Sequence, residues 1–191
     1  SSVTLSVLTD YFTAALDIYA AVIKSPSFPT VEFARLRNQQ LAQIRREKSN
    51  PNQTALRVFP KLVYGPNHAY GAPLTGSGTE TAVSRLRRED LVTFHERWIR
   101  PNNATLVVVG DIAMDDLQTQ LERVFSNWNV AEVPTKNIDS VDHQETSSIY
   151  LIDRPGAQQS LILAGHIAPP KTYDAEIALQ AMNTILGGSF S

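Results

Sequence analysis

Apolar residues recur at helical spacing over the first sixty residues, and prolines interrupt the pattern. A period of about 3.6 residues is typical of amphipathic helices that bury one face. Prolines cannot continue a helix, so they mark its ends. We therefore predict three helices in series. The first starts after Thr9 or Asp10 and ends before Pro26, the second runs from about Thr30 to Lys48, and the third from Asn52 to about Val63.

The rest of the chain mixes this helical pattern with short apolar runs that are typical of strands. The predicted helices cover about residues 89–99, 114–127 and 174–186, and the predicted strands cover residues 1–8, 104–109, 149–153 and 159–167. Such a mixture favours an α+β fold built from two-layer α/β sandwich units. We expect the later part of one unit at residues 1–135, a linker at 136–147 and the start of a second unit at 148–191.

Composition excludes several classes of function. The net charge of −2 predicts no attraction to nucleic acid or to an anionic membrane. The chain has no cysteine, which removes thiol nucleophiles, disulfides and cysteine-type zinc sites. No apolar run approaches the roughly 20 residues that span a bilayer. There is no initiator methionine, so we expect the natural N-terminus to lie elsewhere.

The residue types that usually carry chemistry form no recognisable catalytic motif. The four histidines are His68, His95, His143 and His166, and no two lie three or four residues apart. Neither His-x-x-Glu-His nor His-Glu-x-x-His occurs, and there is no Gly-x-Ser-x-Gly. His95 lies on an apolar helix face, which is typical of a core histidine, and His68 lies in a turn-rich loop. The second helix is basic, and a solvated face explains it better than the alternative, a surface that binds nucleic acid. Its basic residues are Arg35, Arg37, Arg45, Arg46 and Lys48.

Four segments that together span nearly the whole chain carry recognisable motifs. They are Asp17–Phe33 leading into Glu32-Phe33-x-Arg35-x-Arg37; Tyr64-Gly65-Pro66-Asn67-His68-Ala69-Tyr70-Gly71-x-Pro73-x-x-Gly76; Asp90-Leu91-x-x-Phe94 with Arg100-Pro101-Asn102-Asn103 and the run to Gly110-Asp111; and Pro155–Ser160 with Asn183-x-Ile185-Leu186-Gly187-Gly188-x-Phe190. In this order they resemble the pitrilysin/insulinase peptidases, the zinc family with an inverted His-x-x-Glu-His motif.

The resemblance implies that the zinc site is incomplete in this chain. The family motif would precede residue 1, and the substrate-contacting Arg and Tyr would follow Ser191. The third ligand of the family, a Glu, falls on Gln43, and the acidic residue one heptad earlier falls on Leu36. A neutral amide is a poor substitute for a carboxylate on Zn²⁺. Glu47, one turn further along, is the fallback ligand. We therefore expect no catalytic residue and no metal ligand here, and substrate-binding residues stay unknown.

The resemblance implies the non-catalytic portion of a zinc metalloprotease, which walls a chamber and binds peptide. Zinc is then expected in a catalytic half-domain or partner subunit of the same family, with no cofactor in this segment. Two alternatives stay open: a structural or assembly subunit without proteolysis, and an active zinc half whose motif is cut off. The compartment is unknown; a bacterial periplasm or cell envelope is compatible with such peptidases.

Overall fold

A computed structural model of the chain describes residues 2–143 and 146–188. Its regular structure within these ranges consists of α-helices and short helical turns. No helix of the described part is long and apolar enough to cross a membrane. The helices are α1 (Phe12–Lys24), α2 (Thr30–Ser49), α3 (Pro51–Tyr64), α4 (Glu80–Arg85), α5 (Arg88–Trp98), α6 (Met114–Phe125) and α7 (Glu176–Asn183), with 3₁₀ turns at Thr9–Tyr11, Ala69–Gly71 and Pro101–Asn103 and a π turn at Thr184–Gly188.

The predicted helices are confirmed within a few residues, because their ends are encoded locally. The side chain of Asn50 accepts a hydrogen bond from the Gln53 backbone N–H at 3.1 Å, and Pro51 occupies the first turn of α3. The short helix α4 was not predicted. Thr79 caps it by accepting from the Ala82 N–H at 3.1 Å, and this Thr followed by Glu80 was the local signal.

The predicted α+β sandwich is wrong, because no β-strand occurs within residues 2–143 and 146–188. Runs of β-branched residues favour extended backbone, but a strand also needs a neighbour that pairs with its N–H and C=O groups. The predicted strands at 2–8, 104–109, 149–153 and 159–167 have no such neighbour among the described residues. Their apolar side chains face solvent: Val109 is 95% exposed and Ile149 is 99% exposed.

Some predicted features fall partly on residues outside the described ranges. These are the first residue of the predicted strand 1–8, two residues of the linker 136–147, and the end of the Leu-Gly-Gly-x-Phe motif. The residues concerned are Ser1, Gln144, Glu145 and Ser189, Phe190 and Ser191.

The chain divides into two compact units that interleave along the sequence. The first unit comprises Ser1–Arg46 and Gly78–Asn137, and the second comprises Glu47–Ser77 and Ile138–Ser191. These two units are defined by contacts within the chain and differ from the two units expected from the sequence, at residues 1–135 and 148–191. The expected division stays a prediction.

The core of the first unit lies between α1 and α6. Leu16 and Ala20 of α1 pack on Val124 of α6, and all three are buried. The partly buried aromatic and aliphatic neighbours of this cluster are Phe12, Tyr19, Leu121 and Phe125. These residues lie three or four apart along each helix, and side chains at that spacing share one helix face.

The second unit is organised around a proline inside α3. Pro60 is fully buried and has no N–H to donate to the carbonyl of Leu56, four residues earlier. The N–H of Leu74 fills this gap by donating to the Leu56 oxygen at 3.0 Å. The loop after α3 is thereby attached to the middle of the helix, so its side chains are held close to α3.

Candidate functional site

A buried ion pair anchors the loop that follows α3. The Arg57 guanidinium of α3 donates from Nη1 to Oε2 of Glu47, at the end of α2, over 2.6 Å. Their side chains are 9% and 5% exposed. The Ser77 hydroxyl donates to the same Glu47 oxygen at 2.6 Å. Two charges removed from water are stable only with such close pairing and extra hydrogen bonds, so this cluster holds a defined geometry.

Thr75 extends the ion pair into a network of four side chains. Its hydroxyl lies 2.8 Å from the Ser77 hydroxyl and 3.5 Å from Arg57 Nη1. Arg57 also donates to the Ser77 oxygen. The network therefore links α3 to the end of the loop, and shared hydrogen bonds make each member depend on the others.

The residues at the expected zinc-ligand positions do not fit a zinc ion. The Gln43 Oε1 oxygen accepts a hydrogen bond from Nη2 of Arg46 at 2.7 Å. This uncharged oxygen therefore already has a cationic partner. Leu36 offers no donor atom. The Glu47 carboxylate, the fallback ligand, is committed to Arg57 and Ser77. The described residues also contain no group of three or more His, Asp or Glu side chains arranged to hold a metal. That this chain contributes no ligand to the catalytic zinc stays a prediction.

His68 fastens the front of the same loop. Its Nδ1 accepts a hydrogen bond from the Tyr70 backbone N–H at 3.0 Å, and its Nε2 lies 2.9 Å from the Asp139 carbonyl oxygen. A carbonyl only accepts, so the imidazole is neutral with its proton on Nε2. The ring also stacks on Tyr64 at 5.5 Å between centroids. His68 thus caps the 3₁₀ turn Ala69–Gly71, as expected of a residue in a turn-rich loop.

An open cleft of about 400 Å³ lies beside this aromatic cluster. Tyr70 and Leu74 are exposed at its surface, and Ala72 and Pro73 also line it. The lining is mostly apolar and aromatic, and its side-chain polar groups are the phenol hydroxyls of Tyr64 and Tyr70. Such a surface suits apolar side chains better than charged groups.

Two glycines allow the loop to fold back on the end of α3. A side-chain carbon on Gly71 would lie 2.1 Å from the carbonyl oxygen of Gly65. Gly65 itself has φ of 86°, in the left-handed region that other residues rarely adopt, and it ends α3. Both positions in the Tyr-Gly-x-x-His-x-Tyr-Gly pattern therefore have a backbone reason for glycine.

The remaining candidates from the sequence take structural places. His95 is half-buried, and its Nε2 lies 2.7 Å from the Ile23 carbonyl, in agreement with a core histidine. On the basic face of α2, Arg35 pairs with Glu32 at 2.8 Å on the surface. Arg57, Ser77 and Thr75 were missed by sequence reasoning. The one signal in the sequence was Pro60, a proline inside a predicted helix. It leaves the Leu56 carbonyl of α3 without its usual helical donor and so available to the loop.

Comparison with known proteins identifies the class to which the chain belongs. A family model described as the Peptidase M16 inactive domain matches residues 85–191. This match covers more than half of the chain, and the chain belongs to this family. The resemblance to the pitrilysin/insulinase peptidases is thereby confirmed.

Curated relatives match across almost the whole chain. An uncharacterized zinc protease of Mycobacterium leprae (strain TN) is 23% identical over 181 residues, covering 93% of this chain and 39% of the relative. An uncharacterized zinc protease of Rickettsia felis is 25% identical over 189 residues, covering 97% and 43%. The zinc protease PqqE of Helicobacter pylori is 22% identical over 180 residues, covering 91% and 39%. The chain thus spans about two fifths of the length of these relatives.

Proposed function

We propose that this chain is the non-catalytic portion of a zinc metalloprotease, which walls a chamber and contacts peptide substrate. Zinc chemistry is carried by a catalytic half-domain of the same protein or by a partner subunit of the same family. In this proposal residues 1–135 are the later part of one ancestral unit, and residues 148–191 begin the next.

The main support for this proposal is that the Glu47 carboxylate is already bound by Arg57 and Ser77. A catalytic zinc needs three protein ligands and an open position for water. Glu47 is the acidic residue nearest to the expected ligand position, and an internal cation, Arg57, neutralises it at 2.6 Å. Removing a buried carboxylate from such a partner is costly, so a metal ion competes poorly for it. The family match to an inactive domain and the zinc-protease names of the relatives support the same assignment.

The cleft next to Tyr64 and Tyr70 supports the peptide-contacting part of the proposal. Its exposed Tyr70 and Leu74 offer apolar contact area, and a Tyr side chain loses little conformational entropy on binding. An unfolded peptide presents apolar side chains along its length. We propose that this wall holds such side chains while cleavage occurs elsewhere.

We expect purified residues 1–191 to retain no stoichiometric zinc after dialysis against metal-free buffer. Gln43 supplies no negative charge, and the Glu47 charge is already compensated by Arg57. Elemental analysis of the dialysed protein measures the ratio of zinc to chain. One tightly held zinc per chain would contradict the proposal and favour an active half whose motif is cut off.

We expect the full-length protein to cleave unstructured peptides and residues 1–191 alone to cleave none. Fluorogenic peptide libraries measure both activities side by side. Activity of the full-length protein should fall with ortho-phenanthroline, persist with its non-chelating meta isomer, and return with added zinc. A full-length protein without any cleavage would instead favour the structural or assembly subunit. Chelator-sensitive cleavage by residues 1–191 alone would overturn the non-catalytic assignment.

A further inference from the structure

Two of the four histidines, far apart in sequence, lie side by side in the second unit. The ring centroids of His143 and His166 are 5.5 Å apart, and the ring planes are tilted by 35°. Both residues are exposed to solvent, so hydrophobic burial does not explain their pairing. Neither residue takes part in the Glu47–Arg57 network or in the cleft beside Tyr70.

This separation is that of an ordinary ring contact, and it is also short enough for two imidazoles to turn their nitrogens toward one metal ion. A metal–nitrogen bond of about 2.0–2.1 Å places each ring centroid about 3.2 Å from the ion. At a tetrahedral angle, two such rings have centroids about 5.2 Å apart, and the distance grows slightly at wider angles. The observed 5.5 Å is close to this tetrahedral value, and the exposed rings must approach by about 1 Å to reach the roughly 4.5 Å between adjacent ligands of a tetragonal Cu²⁺.

Hydrogen bonding prepares His166 to act as a ligand. Its Nδ1 lies 2.7 Å from the carbonyl oxygen of Ile167. The carbonyl only accepts, so Nδ1 carries the proton and Nε2 keeps its lone pair. This is the arrangement that orients metal-binding imidazoles and raises their basicity. The His143 ring makes no hydrogen bond to any residue within 2–143 or 146–188. Among these residues, none competes with a metal ion for its ring nitrogens.

One contact near each histidine joins its segment to α3 or to the loop that follows α3. The segment that leads to His143 is fastened at Asp139, whose carbonyl lies 2.9 Å from His68 Nε2. The residue before His166 is Gly165, where an added side-chain carbon would lie 2.8 Å from the Phe59 ring of α3. Glycine thus allows a close approach to α3 next to His166, and the contact at Asp139 restricts the backbone four residues before His143.

We propose that His143 and His166 form an exchangeable binding site for a divalent transition-metal ion, with Cu²⁺ bound most tightly. Imidazole nitrogens suit Cu²⁺, Ni²⁺ and Zn²⁺, and affinity at a given nitrogen site peaks at Cu²⁺. Water completes the coordination, because the two exposed rings leave the other positions open to solvent. With only two protein ligands among the residues that the structure describes, the ion exchanges readily and is lost on dialysis. The site is independent of the proteolytic role proposed above.

The test is a Cu²⁺ titration of the full-length protein, purified without a polyhistidine tag, as wild type and as His143→Ala and His166→Ala. Calorimetry measures affinity, and electron paramagnetic resonance counts coordinated nitrogens. The wild type should bind one more Cu²⁺ ion with two nitrogen donors than either variant, because the catalytic half of the full-length protein is expected to hold an imidazole pair of its own. Each variant should weaken this binding by at least about 10-fold. Removal of a residue that only hydrogen-bonds to a metal ligand already lowers metal affinity by about 10–100-fold.

His95→Gln is the matched control, because it removes an imidazole but keeps an amide N–H for the Ile23 carbonyl. It should bind Cu²⁺ like the wild type. Both single variants change exposed residues, and circular dichroism checks that they remain folded. Equal Cu²⁺ affinity in wild type and both variants would overturn the proposal. Loss in only one of the two variants would also overturn it, because a shared ion needs both rings. All comparisons are made between variants of one protein, so the result does not depend on whether the protein is a protease.

Discussion

Arg57→Ala is expected to lower the free energy of unfolding by about 3–5 kcal/mol, because it leaves the Glu47 carboxylate buried without its counterion. The pair is joined at 2.6 Å with both side chains almost fully buried. Ser77 and Thr75 also lose a donor, so the loop after α3 should loosen at the same time. Urea denaturation followed by far-ultraviolet circular dichroism measures the stability change.

Arg45→Ala is the control for loss of an arginine at the surface. The Arg45 side chain is 69% exposed and pairs with Glu80 at 3.2 Å. Exposed pairs contribute about 0–1 kcal/mol, so this variant should stay close to wild type. The double variant Glu47→Leu/Arg57→Leu should lose less stability than Arg57→Ala, because no unpaired charge remains buried. If Arg57→Ala costs no more than Arg45→Ala, the buried ion pair is not a structural anchor.

Gly71→Ala is expected to lower the free energy of unfolding by about 3 kcal/mol, the upper end of the usual range for overpacking. The new methyl carbon would lie 2.1 Å from the Gly65 carbonyl oxygen, a backbone atom that cannot rotate away. The turn would have to separate from the end of α3. The stacking of His68 on Tyr64 would then be lost. Thermal denaturation measures the stability, and the near-ultraviolet circular dichroism of Tyr64 and Tyr70 reports the local change.

Gly110→Ala is the matched control for the glycine-to-alanine change. No heavy atom lies within 4 Å of the position that its side-chain carbon would take, and its φ is not in the left-handed region. The change restricts the unfolded chain, so we expect a stability within about 1 kcal/mol of wild type, with gain favoured over loss. Equal stability of Gly71→Ala and Gly110→Ala would show that the close approach of Gly71 to Gly65 is not maintained in solution.

The helices could be predicted because their information is local. The spacing of Phe12, Leu16 and Tyr19 defines the buried face of α1, and Asn50 with Pro51 defines where α3 begins. These signals act over one or two helical turns, so they do not depend on the rest of the fold. The family was also recognisable, because motif residues keep their order along the chain.

The strands could not be predicted in the same way. The run from Ala104 to Val109 has the composition of a buried strand, yet it has no regular structure and Val109 is 95% exposed. Composition describes how one segment prefers to extend. It does not describe which segment pairs with it, and pairing is what defines a strand.

The candidate site shows the same division between local and tertiary information. The sequence by itself determined that Glu47 is the acid nearest to Gln43 and that the loop after α3 is rich in turn residues. That Gln43 stands where the family has a carboxylate is a prediction from the resemblance. Only the tertiary structure decided that Arg57 neutralises Glu47, that Leu74 takes the carbonyl released by Pro60, and that His143 meets His166. The physical reason is that residue identity and local propensity are properties of short segments, whereas partners far apart in sequence meet only when the backbone between them has folded.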